Sequence, residues 1–149
     1  MTTGGDRLKL IALDREGLDV ISAHAQNTCV KRADMVWLPR QRRFVVAGMR
    51  YDWVKAKTGP AERVSSVLRF DRVLKVSRLG LGDADTTLNL LGVTFQRTDP
   101  PAGMIMLAFA DGALVRLDVE CVEVELCDMG RRVLAEECPG HALTQASVV

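Results

Sequence analysis

The sequence predicts an α+β fold, mostly antiparallel β, in which one N-terminal helix covers a strongly curved sheet or partial barrel. The first observation is the alternation of apolar and charged residues in segment 67–76, which is typical of a half-buried strand. The second is the dipeptide Asp111-Gly112 between two apolar segments, a strong hairpin signal. The third is a helical spacing of apolar residues after Asp14.

The segment 67–76 is the stretch around which we expect the other strands to be arranged. Leu68 and Phe70 alternate with charged residues and therefore share one face of a strand. Val73 directly precedes Leu74 and interrupts the alternation, which indicates a bulge or a bend. The segment is thus one central strand or a pair of strands.

The N-terminal helix is predicted at about residues 15–26, ending near Asn27. Asp14 is a good N-cap because its carboxylate can accept hydrogen bonds from free amides of the first turn. Glu16 adds a negative charge where the helix dipole favours one. A short strand at residues 8–13 precedes the helix.

Alternation and apolar runs predict the remaining strands at residues 35–38, 43–53, 88–96, 104–109, 113–117 and 121–127. One face of the segment 43–53 carries Val45, Ala47, Met49, Tyr51 and Trp53. We expect that face to belong to the core, and Arg50 points the other way. Segment 104–109 is apolar on both faces, so we expect it to be central or covered on both sides.

The length of 149 residues and the share of 48% hydrophobic and 26% charged residues suit one globular domain spanning residues 1–149. Segments of about 28–82 and 84–128 have similar strand patterns and are predicted as possible internal pseudo-repeats. A pleckstrin-homology-like barrel and two packed repeats both fit this pattern. We expect the tail, residues 139–149, to be disordered.

Three runs carry a family resemblance: LKLIALD at residues 8–14, LRFDRVLKV at 68–76 and VECVEVEL at 119–126. Together they resemble a small bacterial family called domain of unknown function 2948. The resemblance covers residues 8–141, nearly the whole chain. It implies relatives but no activity, because the three runs are framework strands.

Composition and termini predict a cytoplasmic protein. No apolar run approaches the roughly 20 residues that a membrane-spanning helix needs. Residues 1–6 lack the basic start and apolar centre of a signal peptide. The four cysteines, in a chain without a secretion signal, are therefore expected to be reduced and mostly buried.

The cysteine spacing does not favour a metal site. Cys121, Cys127, Cys138 and His141 follow the pattern C-x5-C-x10-C-x2-H. Structural zinc sites use ligand pairs two to four residues apart, and only Cys138 and His141 have such a spacing. We therefore predict buried structural thiols and no metal ligands.

The inventory of catalytic residue types is sparse. The two histidines are His24 and His141, and His24 is close in sequence to Cys29. No nucleophile-elbow motif and no phosphate-binding glycine loop occurs. We therefore predict no catalytic residues and no cofactor, and the sequence leans against an enzyme.

Charge distribution is the most informative functional feature. Residues 1–83 hold 16 Lys and Arg against 9 Asp and Glu, whereas residues 84–149 hold 4 against 10. Loops on a rigid sheet often carry binding residues, so we expect function to use the turn at 40–43 and the loop at 55–63. The candidate binding residues are Arg40, Arg42, Arg43, Lys55, Lys57 and Arg63.

The leading hypothesis is a non-enzymatic protein-interaction or self-associating module, in which basic and acidic halves could meet within one chain or between two. The alternative is nucleic-acid binding through the basic face of residues 40–78, where Trp37, Tyr51 and Trp53 lie among the cations. An enzyme of unknown type ranks third. No membrane partner is expected.

Overall fold

The computed structural model describes residues 7–135, which form one α-helix and ten β-strands. The helix, α1, spans Arg15–Ala25. The strands are β1 (Lys9–Ala12), β2 (Thr28–Lys31), β3 (Met35–Leu38), β4 (Arg43–Tyr51), β5 (Glu62–Phe70), β6 (Val73–Leu79), β7 (Thr87–Arg97), β8 (Gly103–Phe109), β9 (Leu114–Val119) and β10 (Val124–Leu134).

All ten strands belong to one curved antiparallel sheet. Its order is β1-β10-β5-β4-β2-β7-β8-β9-β6, and β3 pairs with β4 beside this path. Because β1 and β6 stand at opposite ends of the order, the sheet is not closed into a barrel. The predicted fold class, mostly antiparallel β with one N-terminal helix, is confirmed.

The helix α1 begins and ends where the sequence predicts. Asp14 caps it, because its Oδ1 accepts a 2.8 Å hydrogen bond from the backbone N–H of Gly17. Asn27 has a φ of 72°, so the chain turns away from the helix axis there. The helix packs against β7 and β1 through the buried side chains Leu18, Ile21 and Ala25.

The central stretch is a pair of strands. Leu68 and Phe70 on β5 are buried as predicted. Arg72 then adopts a left-handed conformation with a φ of 62° and directs the chain into β6. β6 pairs with β9 and not with β5, and its register shifts between Val73 and Lys75. The predicted bulge is confirmed, and the bend places β5 and β6 in different parts of the sheet.

The predicted buried face of β4 is wrong. Phe44, Val46 and Arg50 point into the protein and are buried, whereas Val45 and its neighbours on the other face remain half-exposed. Phe44 and Val46 lie opposite Phe70 and Leu68 of the neighbouring strand β5, and these four side chains belong to the same hydrophobic core, so the pairing with β5 fixes which face of β4 is buried. Arg50 tolerates this position because an acidic partner lies there, as described below.

The strands in the second half of the sheet agree closely with the predictions made from the sequence. β8 lies between β7 and β9, so its apolar residues are central as predicted. Asp111 and Gly112 have φ values of 67° and 81° and join β8 to β9 in the expected hairpin. The largest fully buried side chains include Phe70, Leu90, Ile105, Leu107, Leu117 and Leu126.

The cysteines only partly match the prediction. Cys121 and Cys127 carry free thiols and are half-buried. Cys29 is disulfide-bonded, so the prediction that all cysteines are reduced is wrong for this residue. Cys138 and the tail 139–149 lie outside residues 7–135.

The internal duplication and the cytoplasmic location stay predictions. Within residues 7–135, no helix has the length and apolar character needed to cross a membrane.

Candidate functional site

The predicted basic turn lies between β3 and β4, and two of its cations are engaged in ion pairs. Nη1 of Arg42 lies 2.9 Å from Oε2 of Glu120. Nε of Arg43 donates a 2.7 Å hydrogen bond to Oδ1 of Asp71. Arg40 is exposed on the same turn. The turn is therefore at the surface as predicted, but much of its charge is neutralised within the chain.

The second predicted basic segment is a short 3₁₀ helix, Lys55–Lys57, that follows β4. Nζ of Lys55 lies 3.3 Å from Oε1 of Glu62 on β5. Lys57 is exposed. This segment is separate from the turn at 40–43, so the six candidate cations do not form one continuous site.

Arg63 is a structural residue of the interior, and its predicted exposure is wrong. Its Nη1 donates hydrogen bonds to the carbonyl oxygens of Asn27 at 2.7 Å and Met49 at 3.3 Å. The guanidinium carbon also lies 5.7 Å from the centre of the Tyr51 ring. Burial lowers the pKa of Arg63, yet these acceptors and the ring hold its charge.

A row of ion pairs crosses the outer face of the sheet from β1 to β4; we call it the ionic row. Lys9 lies 3.5 Å from Glu125, which lies 2.9 Å from Arg69. Arg69 and Arg43 then both contact Asp71, at 3.1 and 2.7 Å. Opposite charges alternate along the row, so each of its charged side chains has an oppositely charged neighbour.

Among the ion pairs of residues 7–135, the most deeply buried one joins β4 to β10. Asp128 accepts hydrogen bonds from Nε and Nη2 of Arg50 at 3.0 and 2.8 Å, and from Oγ of Ser66 at 2.6 Å. The backbone N–H of Leu8 adds a fourth bond of 2.9 Å. Burial alone raises the pKa of Asp128, but the bonds from Arg50, Ser66 and Leu8 outweigh it, so the pKa is lowered.

A second ionic cluster lies nearby. Nη1 of Arg132 donates to Oδ2 of Asp52 at 3.0 Å and to Oε1 of Glu62 at 3.2 Å. Asp52 also accepts a 3.0 Å bond from the backbone N–H of Lys55. Burial raises the pKa of Asp52, but the bonds from Lys55 and Arg132 outweigh it and lower the pKa.

A cavity of about 470 Å³ opens beside these clusters; we call it the His24 cavity. Its polar lining consists of Arg7, His24, Arg50, Asp52, Lys55 and Thr58. Leu8 and Val54 supply its apolar lining. Burial, and after it the charge of Arg50, lowers the pKa of His24, so the imidazole is neutral at neutral pH.

Cys29, the cysteine close to His24 in sequence, does not line the His24 cavity. Cys29 is disulfide-bonded and lines a different cavity, of about 330 Å³, beside Met49. Within residues 7–135, no group of three or more His, Cys, Asp or Glu side chains is placed to hold a metal ion. Cys138 and His141, from the sequence pattern considered for zinc, lie outside that range.

One end of the sheet, β1, presents an open edge. Among residues 7–135, β1 pairs with β10 alone. The carbonyl of Leu8 accepts a 2.8 Å bond from the N–H of Asp128, so alternation turns the backbone groups of Lys9 and Ile11 away from β10. The side chains of Ile11 and Leu13 are 63% and 71% exposed.

The other end of the sheet, β6, has the features that protect an edge strand. Lys75 and Arg78 place positive charges along it, and the register shift beside Val73 bends it. β1 has only Lys9 as a comparable charge, and that ammonium is already paired with Glu125. The two ends of the sheet therefore differ in their capacity to pair with a further strand.

Sequence reasoning missed this edge, the Arg50–Asp128 pair and the His24 cavity. The apolar run at 8–13 predicts a strand but carries no signal for its position in the sheet. For Arg50 a signal exists, because it is in phase with Phe44 and Val46. The opposite face of β4 carries more apolar residues, however, so the sequence pattern favours burying that face instead.

The comparison with known families covers almost all of these elements. A model of the family described as "Protein of unknown function (DUF2948)" matches residues 8–141. The chain belongs to the DUF2948 family. The resemblance inferred from the three framework runs is thereby confirmed. No curated protein and no solved structure matches this DUF2948 chain.

Proposed function

We propose that this DUF2948 protein is a non-enzymatic, self-associating module whose interface is the free edge of β1. The observation that carries the proposal is the exposed side chain of Ile11 on the terminal strand β1, with that of Leu13 directly after the strand, beside outward-facing backbone groups. Unpaired strand edges accept a further strand readily, and natural sheets usually protect them with charge, bulges or cover.

The partner we assign to this edge is a second copy of the same chain. In an antiparallel pair, residues opposite each other lie on the same face of the sheet. A two-fold axis must therefore pass midway between the two copies of one residue, which then lie opposite each other. An axis at Ile11 lets the two Ile11 residues exchange both backbone hydrogen bonds. It also places Lys9 opposite Leu13, so no like charges meet across the axis.

The charge pattern near the edge favours a contact made by backbone and apolar groups. Lys9 is paired with Glu125 inside the chain, and Ile11 and Leu13 are uncharged. Salt screens exposed charges but barely affects backbone hydrogen bonds and apolar burial. We therefore expect a dimer whose dissociation constant changes little between low and high salt.

The alternative functions receive less support from the geometry. Arg42, Arg43 and Lys55 have acidic partners, which reduces the positive potential available to a nucleic-acid backbone. Tyr51 packs edge-on against Trp53, with ring centres 4.5 Å apart, so neither offers two open faces for stacking. Nucleic-acid binding stays the second prediction and an enzyme the third.

The test is solution mass by light scattering over a range of protein concentrations, at low and high salt. The native chain should dimerise, and the variant Ile11→Lys should be monomeric because two ammonium groups would meet at the axis. Lysine at position 11 faces Glu125 across β1 and β10, so the fold of the monomer should be kept.

Leu79→Lys is the matched control, because Leu79 is 64% exposed on the opposite end strand. It should dimerise like the native chain. A native chain that stays monomeric at every concentration would contradict the proposal. So would a dimer that dissociates as salt rises, or one that Ile11→Lys and Leu79→Lys weaken equally.

A further inference from the structure

We propose that the His24 cavity is a binding site for a small organic anion with a carboxylate or phosphate head and a short apolar body. This site is distinct from the edge of β1 and does not depend on self-association. Three features of the cavity support the assignment: the charge of its lining, the neutral imidazole of His24, and its size with an apolar part.

The charge of the lining favours an anion. The lining contains three cations, Arg7, Arg50 and Lys55, of which Arg50 is paired with Asp128 and Lys55 with Glu62, and one carboxylate, Asp52. That carboxylate already accepts hydrogen bonds from Arg132 and from the backbone of Lys55, so its charge is locally compensated. Among residues 7–135, Arg7 forms no salt bridge, and its guanidinium lies against the backbone of Gly130. Within that range, Arg7 is therefore the lining cation without a counter-charge, at a site whose acids are compensated.

His24 adds a group that can respond to a bound anion. From the elements packed around it, Arg50, Asp52 and Asp128 act on its charge, and Arg7 and Lys55 line the same cavity. A neutral imidazole can donate one hydrogen bond to an oxyanion. It also gains a proton more readily when a negative charge lies beside it.

The dimensions and remaining lining favour an organic anion over a bare inorganic ion. The volume of about 470 Å³ lies within the usual range of small-molecule sites, about 300–1,000 Å³. Leu8 and Val54 provide an apolar surface, and the hydroxyl of Thr58, which donates a long 3.5 Å bond to the carbonyl of Lys55, adds a polar group to the lining. A ligand with a charged head and several carbon atoms could satisfy both kinds of lining.

The experiment is a proton NMR titration of the His24 imidazole in the full chain, with His141→Gln introduced so that one histidine signal remains. The probes are hexanoate and hexyl phosphate, with hexanol as the uncharged comparison. We expect at least one anion to shift the His24 resonance saturably and to raise its pKa, while hexanol does neither. The anion that binds more tightly identifies the head group.

A pair of variants tests the assigned residues. Lys55→Gln removes a cation of the cavity, whereas Lys57→Gln removes a cation of the same 3₁₀ helix that does not line it. Lys55→Gln should weaken anion binding about tenfold, as expected for one charge-assisted hydrogen bond, and Lys57→Gln should not.

Three results would overturn the proposal. The first is that neither anion shifts the His24 resonance. The second is that hexanol binds as tightly as the anions, which would show an apolar site without charge recognition. The third is equal binding by the Lys55→Gln and Lys57→Gln variants, which would place the anion elsewhere on the surface.

Discussion

Arg50 and Asp128 show how this chain accommodates charge in its interior. Their side chains are 3% and 0% exposed, and they bond each other through two nitrogen–oxygen contacts. A buried ion pair costs desolvation energy, which is recovered only when the remaining hydrogen-bonding capacity is also used. Ser66 and the Leu8 amide supply the additional donors that Asp128 requires.

The variant Asp128→Asn should destabilise the protein by about 3 kcal/mol, because it leaves the Arg50 guanidinium buried without a counter-charge. The free energy of unfolding in urea at neutral pH measures this effect. Asp118→Asn is the control, because Asp118 forms a more exposed pair with Arg116 and should cost less than about 1 kcal/mol. Equal losses in the two variants would refute the role assigned to the buried pair.

At the residue scale, a structural feature could be predicted from the sequence when the residues that cause it lie within a few positions of each other. The cap at Asp14 was predictable because an N-cap bonds to amides two or three residues away. The burial of Arg50 had only the weak signal of its phase with Phe44 and Val46, and its partner was not predictable, because Asp128 lies 78 residues further along the chain. A sequence shows the charge of each residue but not which distant carboxylate will meet it.

At the scale of elements, α1 depends on its cap. Asp14→Ala should lower the free energy of unfolding by about 1 kcal/mol, because the N–H of Gly17 loses its acceptor. Chemical denaturation measures the change, and Asp19→Ala, at an exposed position in the same helix, serves as the comparison. A cap variant no less stable than Asp19→Ala would show that water replaces the carboxylate at no cost.

The strands divide into those specified locally and those specified by distant pairing. The β8–β9 hairpin follows from the turn residues Asp111 and Gly112, so its boundaries and pairing were both predictable. β6 was recognisable as a strand, but its pairing with β9 was not, because the turn at Arg72 sends it away from β5. The prediction of which face of β4 is buried failed for a related reason, because both faces of this strand carry apolar side chains.

At the scale of the whole molecule, stability should fall in acid. Asp52, Asp128 and His24 all have lowered pKa values in the folded chain. As the pH falls, the unfolded chain therefore takes up protons before the folded chain does, and the equilibrium moves toward unfolding. The histidine effect begins near its unfolded pKa of about 6.5, and the aspartate effect near about 3.9.

Urea midpoints measured from mildly alkaline to acidic pH check this dependence. We expect a plateau above neutrality, a first decrease below about pH 6.5 and a steeper one below about pH 4. His24→Gln should remove the first decrease and leave the second. A midpoint that stays constant down to pH 5 in the native chain would contradict the assignment of the first decrease to His24.

The pairing of β1 with β10 joins two segments that are far apart in sequence. Leu8 and Asp128 are 120 positions apart, and the first strand of residues 7–135 has the last strand of that range as its partner. During synthesis β1 must therefore wait, with Ile11 and Leu13 exposed, until β10 has emerged. The nascent protein is most vulnerable to unwanted association in that interval, at the edge that we assign to dimerisation in the finished protein.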